Sequence, residues 1–327
     1  MKQESKSTLS WKDVKWTYQK QKRVFRYQQR IYSASYKNQR EKLKYLQRKR
    51  MNSFDAKLLA VRKVTTDNKG KRTPGIDKYV AKTDQEKMAL VAKLRLDGKA
   101  NPIRRVWITK PGKDELRPLG IPTLKDRAKQ TLVVLALEPQ WEAKFEPNSY
   151  GFRPGRCTQD AMEAIFNSLR VHKNSREIKG KHAFDADIAG CFDNIDHDYF
   201  LARIGQTLPQ IKRQVHACLK AGVMTGFQAT KPNVAYENRG TPQGGPLSSL
   251  LSNIALHGLE NHLKQWVENQ NLKHIGLHRR HAKRTSLGVV RYADDFVVLH
   301  KAKKVIHDAK TATVFWLACQ NFQAKSQ

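Results

Sequence analysis

The chain contains few acidic residues and no long apolar run. It has 29 Asp and Glu residues against 62 Lys and Arg residues in 327, which gives a formal net charge of +33. No apolar run approaches the length of a membrane-spanning helix, and residues 1–10 lack the pattern of a signal peptide. We therefore expect a soluble, intracellular protein that does not span a membrane.

Cysteine is also scarce, and its spacing excludes two kinds of structural site. The four cysteines are Cys157, Cys191, Cys218 and Cys319. They form no C-x-x-C pair and no ligand spacing typical of zinc. We therefore expect reduced thiols, no disulfide framework and no zinc.

Positive charge is concentrated near the N-terminus. Residues 1–70 hold 20 Lys and Arg against 5 Asp and Glu, a net charge of +15. Their apolar residues recur at helical spacing from residue 11 to 50 and from 53 to 64, so this part is predicted to be a separate helical unit. Basic side chains gain affinity for nucleic acids by releasing counterions from phosphates. A nucleic acid is the leading candidate partner, and composition leaves an anionic membrane surface or a merely solvated helix face as alternatives.

Further along the chain the patterns predict a mixture of strands and helices. Residues 101–122 are predicted to form a hairpin and residues 123–146 a long helix. Residues 182–192 alternate as a strand, and residues 240–267 form a Gly-rich loop that leads into a helix. The basic stretch 274–286 is predicted to be a loop.

Three aspartates stand out in this basic chain. Asp187 lies on the polar face of the predicted strand 182–192, and Asp294 and Asp295 lie between two apolar runs in "VVRYADDFVVL". Grouped carboxylates repel one another, and a buried lone carboxylate is costly, so a cation would stabilise them. Carboxylate oxygens suit Mg²⁺, and two such ions support in-line phosphoryl transfer. Taken alone, the Asp-Asp pair fits an ordinary turn, and Asp185 with Asp187 fits a solvated strand face.

Five sequence blocks, in order, make the chain resemble reverse transcriptases encoded by group II introns, the maturase type. The blocks are "IRRVWITKPGKDELRPLGIPTLKDRAKQ", "LEPQWEAKFEPNSYGFRPGR", "FDADIAGCFDNIDH", "RGTPQGGPLSSLLSNIAL" and "RYADDFVVL". The segments "VFRYQQRIYSASYK" and "AKLLAVRKVTTDNKGKRTPGID" also resemble the N-terminal domain of bacterial and plastid members. One departure is Ser249 in "SSLLSNI", where the family commonly has proline.

The resemblance implies an α+β fold, with right-hand fingers and palm, an antiparallel palm sheet backed by helices, and a basic helical N-terminal domain. The implied domains are an RNA-binding domain at 1–85 and the fingers and palm at 86–327. Family members continue into a thumb and a maturase domain, which these residues do not contain, so we expect a truncated form. The implied compartment is the bacterial cytoplasm or the plastid stroma.

The implied function is RNA-directed DNA synthesis in intron mobility, with intron RNA binding and splicing assistance. Its partners would be an intron RNA template, a DNA or RNA primer and dNTPs, with two Mg²⁺ ions as cofactor and no membrane partner. The alternatives are a non-enzymatic splicing factor and an inactive truncated relic. "RPLGIP" and "PQGG" disfavour another palm-type nucleotidyltransferase such as a nucleotide cyclase.

Residue roles follow from matching positions in the family's motifs. Asp187, Asp294 and Asp295 would be the catalytic metal ligands, joined by the carbonyl of Ile188. The implied nucleotide contacts are Lys110, Arg117, Phe192 and Gln243, with Phe192 excluding a 2′-OH and Gly244 and Gly245 allowing close backbone approach. The implied template contacts are Arg153 and Arg156, with ordinary loop charges as the alternative.

Overall fold

The structure is a computed structural model of the chain, and it describes residues 10–12, 14, 18–109, 112, 114–170, 180–192, 194–225, 233–235, 240, 244–320 and 322–326. The chain divides into two compact units. The first comprises Met1–Ala143, Ile204–Asn238 and Pro242–Leu247, and the second comprises Lys144–Arg203, Arg239–Thr241 and Ser248–Gln327. The boundary predicted at residue 85 falls inside the first unit and stays a prediction.

Helices are the main elements of the described residues. They are α1 (Tyr18–Tyr36), α2 (Arg40–Asn52), α3 (Phe54–Arg62), α4 (Asp84–Lys93), α5 (Leu124–Glu142), α6 (Thr158–Leu169), α7 (His197–Arg203), α8 (Pro209–Leu219), α9 (Ser248–Leu256), α10 (Leu259–Glu268), α11 (Arg280–Ser286) and α12 (Lys303–Cys319). The strands are β1 (Ile103–Thr109), β2 (Leu116–Ile121), β3 (His182–Ala189), β4 (Val223–Thr225), β5 (Asn233–Ala235), β6 (Gly288–Tyr292), β7 (Asp295–His300) and β8 (Gln323–Ser326). Among the helices described, none has the length and hydropathy that a membrane span requires.

In the first unit, α1, α2 and α3 pack against the long helix α5. Helix α5 begins where the Thr123 side chain accepts a hydrogen bond from the Asp126 amide, which caps its first turn. Leu58 and Leu132 are fully buried in the core that α3 and α5 share. The basic N-terminal helices are thus held by an apolar face, and the charged residues described on them, apart from the buried Arg50, are left at least partly exposed.

The predicted hairpin of the first unit is confirmed. Strands β1 and β2 pair antiparallel, with Thr109 opposite Leu116 at the turn end. The sheet order is β2-β1-β4-β5, and β1 runs parallel to β4.

The second unit is built on one antiparallel sheet with the order β6-β7-β3-β8. Helix α12 packs against β3, β7 and β8, and α6 packs against β6. The rings of Phe184 and Phe296 meet edge to face with centroids 5.9 Å apart, inside the sheet's apolar face. The alternation predicted for strand 182–192 is confirmed, because Phe184, Ala186 and Ile188 are buried while Asp185 is exposed.

Two details of the predicted elements were wrong. The basic stretch 274–286 contains helix α11, because Lys283 and Arg284 bond to the end of α10 at Glu268. The helix predicted up to residue 267 breaks at Gly258, which has a φ of 108°. The helical pattern predicted over 11–50 is confirmed for the described residues from 18 onward, where Asn38, with a φ of 52°, separates α1 from α2.

Arg50 is an unusual buried group in the first unit. Its side chain is fully buried, and its Nε, Nη1 and Nη2 have no hydrogen-bond partner among the described residues. Burial lowers the pKa of Arg50 to about 10. Because an unpaired buried charge is costly, we expect Arg50→Met to raise the free energy of unfolding by about 1–3 kcal/mol in urea denaturation.

Arg127 provides the matched control for this prediction. It is also buried, but its guanidinium donates to the carbonyls of Gly70 and Thr73 at 2.9 and 2.6 Å. Arg127→Met should therefore destabilise the protein. Equal destabilisation by the two substitutions would contradict the interpretation of Arg50.

Candidate active site

Two adjacent strands bring the three aspartates to one end of the second unit's sheet. Asp187 of β3 is directly opposite Asp295, the first residue of β7. Directly opposed side chains share a face, with Cβ atoms about 4.5–5.5 Å apart. Asp294 occupies the turn before β7, and its carbonyl accepts a hydrogen bond from the amide of Ile188 at 3.3 Å. Residues more than 100 positions apart in sequence therefore meet at this turn.

The negative charges of the grouped carboxylates repel one another. Partial burial, followed by the charges of Asp294, Asp187 and Asp185, raises the pKa of the Asp295 carboxyl above its usual value. Asp187 and Asp294 are half-buried, so solvent screens them only in part. A cation at this end of the sheet would relieve this repulsion.

The donor set fits a hard divalent cation. Within the described part of the chain, no three His, Cys, Asp or Glu side chains already converge around a single point as metal ligands do. The strand register nevertheless aligns oxygen donors only, the carboxylates of Asp187, Asp294 and Asp295, next to the backbone of Ile188. Such a set suits a hard cation that keeps water and substrate oxygens as further ligands.

Two residues that follow Asp187 closely in sequence, Cys191 and Phe192, are at least half-buried. Cys191 is buried, and burial raises the pKa of its thiol to about 12, so the thiol is neutral near pH 7. Phe192 is half-buried, and its ring meets that of Phe152 edge to face with centroids 6.3 Å apart. Phe152 is itself 51% exposed and has a φ of 60°, so a strained loop holds one side of the Phe192 ring.

The two predicted template residues bond within their own loop. Arg153 is buried and donates to the carbonyls of Glu146 and Ser149, both at 2.8 Å. Arg156 is partly exposed, donates to the carbonyls of Pro147 and Ser149, and lies 5.1 Å from the centroid of the Tyr150 ring. Burial makes Arg153 part of the loop's framework, so we keep only Arg156 as a proposed template contact.

The nucleotide contacts predicted outside the second unit are described in part. Lys110 and Gln243 lie outside the described residues. Arg117 is exposed on β2, opposite Ile108 of β1. A Cβ at Gly244 would lie 2.6 Å from the carbonyl oxygen of Gly120, so this glycine is required by β2 of its own unit. That requirement is independent of any bound nucleotide.

Sequence patterns did not identify the residues that hold the turn between β6 and β7 in place. They are Ser149, Gly151, Asn253 and Arg291, which form a hydrogen-bonded and tightly packed cluster in the second unit. The available signal was Arg291 itself, a charged residue directly after the buried pair Val289 and Val290 in a short strand.

Comparison with known families identifies the family to which this architecture belongs. The sequence profile described as reverse transcriptase (RNA-dependent DNA polymerase) matches residues 108–327, and the profile described as N-terminal domain of reverse transcriptase matches residues 11–94. The chain belongs to the reverse transcriptase family. The fold predicted from the sequence is thereby confirmed as that of reverse transcriptase fingers and palm, with a helical N-terminal region.

Relatives of this reverse transcriptase chain include a group II intron-encoded protein and a maturase-like protein. It is 38% identical to group II intron-encoded protein LtrA of Lactococcus lactis over 204 residues, which are 61% of this chain and 32% of that protein. It is 29% identical to protein YkfC of Escherichia coli, over 74% of this chain and 67% of that protein. It is 27% identical to maturase-like protein 1 of Euglena gracilis, over 73% of this chain and 49% of that protein. The chain thus spans about a third of LtrA, and the resemblance to intron-encoded reverse transcriptases and maturases is confirmed.

Proposed function

We propose that the chain carries the polymerase core of a group II intron-encoded reverse transcriptase and copies RNA into DNA. The observation that carries the proposal is the register that sets Asp187 opposite Asp295, with Asp294 in the adjoining turn. The family membership supports the proposed polymerase activity, and the similarity to LtrA supports the proposed link to a group II intron. We place its action in a bacterial cytoplasm or plastid stroma, on an intron RNA template with a DNA or RNA primer.

The proposed cofactor is Mg²⁺, as two ions, consistent with the divalent-metal dependence of the family. Asp187 and Asp294 would hold the ions, with Asp295 and the Ile188 carbonyl completing the donor set. When bound, the ions would stabilise charge on the attacking and leaving oxygens of phosphoryl transfer. The chain's own contribution at this end of the sheet is to fix the carboxylates on paired strands, so that little rearrangement precedes the reaction.

The remaining residues would position the nucleotide and the template. Lys110 and Arg117 would offset the charge of the triphosphate of a dNTP, with arginine supplying a rigid donor fork. Phe192, held against Phe152, would exclude a ribose 2′-OH, and Gln243 would contact the incoming nucleotide. Arg156 would contact the template backbone.

The surface of the N-terminal helices supports RNA binding. Phe25, Tyr36 and Tyr45 are each more than half exposed in a segment rich in Lys and Arg. The rings of Tyr32 and Tyr36 lie parallel, with centroids 6.4 Å apart. Exposed aromatic rings among basic side chains are typical of surfaces that stack unpaired bases. We therefore propose that residues 1–85 bind intron RNA and so assist splicing.

The test compares polymerisation with RNA binding in one variant. The chain is given an RNA template, a DNA primer, dNTPs and Mg²⁺, and primer extension and intron RNA affinity are measured for the wild type and Asp294→Asn. We expect extension by the wild type, its loss in the variant and unchanged RNA affinity. Extension that survives the substitution would contradict the assigned role of Asp294. Absence of wild-type extension, with splicing support kept by both proteins, would favour a non-enzymatic splicing factor.

A further inference from the structure

The turn that carries the acids has an unfavourable backbone conformation. Ala293, immediately before Asp294, has a φ of 58°, in the left-handed region. Such a conformation costs a non-glycine residue roughly 1–2 kcal/mol, and it persists only where surrounding contacts impose it. The direction in which Asp294 leaves the chain depends on that conformation, so the contacts that impose it matter for the acids.

Arg291 supplies the hydrogen bonds that impose this conformation. Its Nη1 donates to the Ala293 carbonyl at 2.7 Å and to the Oδ1 of Asn253 at 3.0 Å, and its Nη2 donates to the Oγ of Ser149 at 2.6 Å. One planar group thus joins the turn, helix α9 and the loop before α6. The Arg291 side chain is buried, and burial lowers its pKa to about 10, so the guanidinium stays charged at neutral pH.

The loop on the other side of Arg291 is itself anchored. The Asn253 Nδ2 donates to the carbonyl of Gly151 at 2.8 Å, so Asn253 joins α9 to the same loop that Arg291 contacts at Ser149. The backbone of Arg291 pairs with the loop as well, donating to the Asn148 carbonyl and accepting from the Tyr150 amide, both at 2.9 Å.

The loop is in turn fixed to helix α10. The Asn148 Nδ2 donates to a carboxylate oxygen of Glu260 at 2.7 Å, and the Asn261 amide donates to Glu146 at 2.7 Å. The turn is therefore tied through Arg291 to buried groups of α9 and α10 rather than supported by its two strands alone.

We infer that Arg291 is a positioning residue, which holds the Ala293 carbonyl against Asn253 and Ser149 and so aims the carboxylates of Asp294 and Asp295 for metal binding. The inference rests on the proposed function of those acids. Arg291 touches neither substrate nor metal in this role. Residues that orient metal ligands typically contribute about 10–100-fold to metal affinity or activity.

The test uses variants that separate geometry from charge. Arg291→Lys keeps the positive charge but loses the fork, and Asn253→Ala removes one acceptor without changing charge. The matched control is Arg203→Lys, because Arg203 lies in the same unit and bonds to the Tyr199 hydroxyl and the His257 carbonyl. The wild-type chain and each variant are assayed for Mn²⁺ affinity by electron paramagnetic resonance without nucleic acid, for kcat and the KM for dNTP, and for Tm.

We expect Arg291→Lys to weaken Mn²⁺ binding about 10-fold or more and to lower kcat with little change in KM. Asn253→Ala should change both quantities in the same direction, and Arg203→Lys should change neither. The inference would be overturned if Arg291→Lys and Asn253→Ala both kept the Mn²⁺ affinity and kcat of Arg203→Lys. It would be overturned equally if the Tm of these two variants fell while their Mn²⁺ affinity and kcat stayed at those values. Should the wild type bind Mn²⁺ but extend no primer, the proposed polymerase function would fail, and the Mn²⁺ comparison would still decide the role of Arg291.

Discussion

Asp187→Asn is expected to lower the rate of primer extension by at least about 10³-fold, whereas Asp185→Asn leaves it within about two-fold. The two aspartates lie on the same strand and, because side chains alternate, on the same face. Asp187 is opposite Asp295, at the turn end of β3, whereas Asp185 is opposite Val297. Only Asp187 therefore lies where several carboxylates can share a cation.

This pair of substitutions separates a local role from a general charge effect. Each variant removes one negative charge from the same face, so a loss that depended only on net charge would be similar in both. Extension rates should be measured at saturating dNTP and over a range of Mg²⁺ concentrations, with Tm as the check on folding. Equal loss in the two variants, or a wild-type rate in Asp187→Asn, would contradict the metal-binding assignment.

Gly151→Ala should lower both the stability and the activity of the second unit. A Cβ at residue 151 would lie 2.3 Å from the Ala293 nitrogen and 2.9 Å from its Cα. These are backbone atoms of the turn, which can move only if the turn moves. We expect a loss of about 1–3 kcal/mol in the free energy of unfolding. A shift of about 1 Å in the acids should lower kcat by about 10²-fold.

Gly180→Ala is the control for that substitution. Gly180 precedes β3 in the same unit, and a Cβ there would meet nothing within 4 Å. It should leave both the unfolding free energy and kcat close to the wild-type values. If Gly151→Ala were as stable and as active as Gly180→Ala, the loop that contains Gly151 would not pack closely on the turn at Ala293.

The aspartates could be found from the sequence because their signals are local. Alternation with period two places Asp187 on the polar face of its strand, and the apolar runs on both sides of Asp294 and Asp295 predict a hairpin. The resemblance to intron reverse transcriptases then implies that these three acids act together as metal ligands. The structure adds the register, in which Asp187 faces Asp295.

The supporting residues could not be found in this way, because their roles depend on contacts distant in sequence. Arg291 bonds to Ser149 and Asn253, which are 142 and 38 residues away. Nothing in the spacing of these residues indicates that they meet. Similarly, the basic composition of residues 274–286 predicts a loop, because nothing in the sequence indicates that Lys283 and Arg284 bond to the end of α10. The sequence predicts that Arg153 contacts the template backbone or is an ordinary loop charge, and only its burial shows that it belongs to the loop's framework.

The most direct measurement is the anomalous diffraction of Mn²⁺ in crystals of the chain with an RNA template, a DNA primer and an incoming dNTP. We expect two Mn²⁺ peaks at the turn end of β3, within about 2.0–2.6 Å of carboxylate oxygens of Asp187 and Asp294 and of the nucleotide's phosphate oxygens. Nucleotide bound with no Mn²⁺ at these carboxylates, or Mn²⁺ bound only elsewhere on the chain, would contradict the assignment of this turn as the polymerase centre.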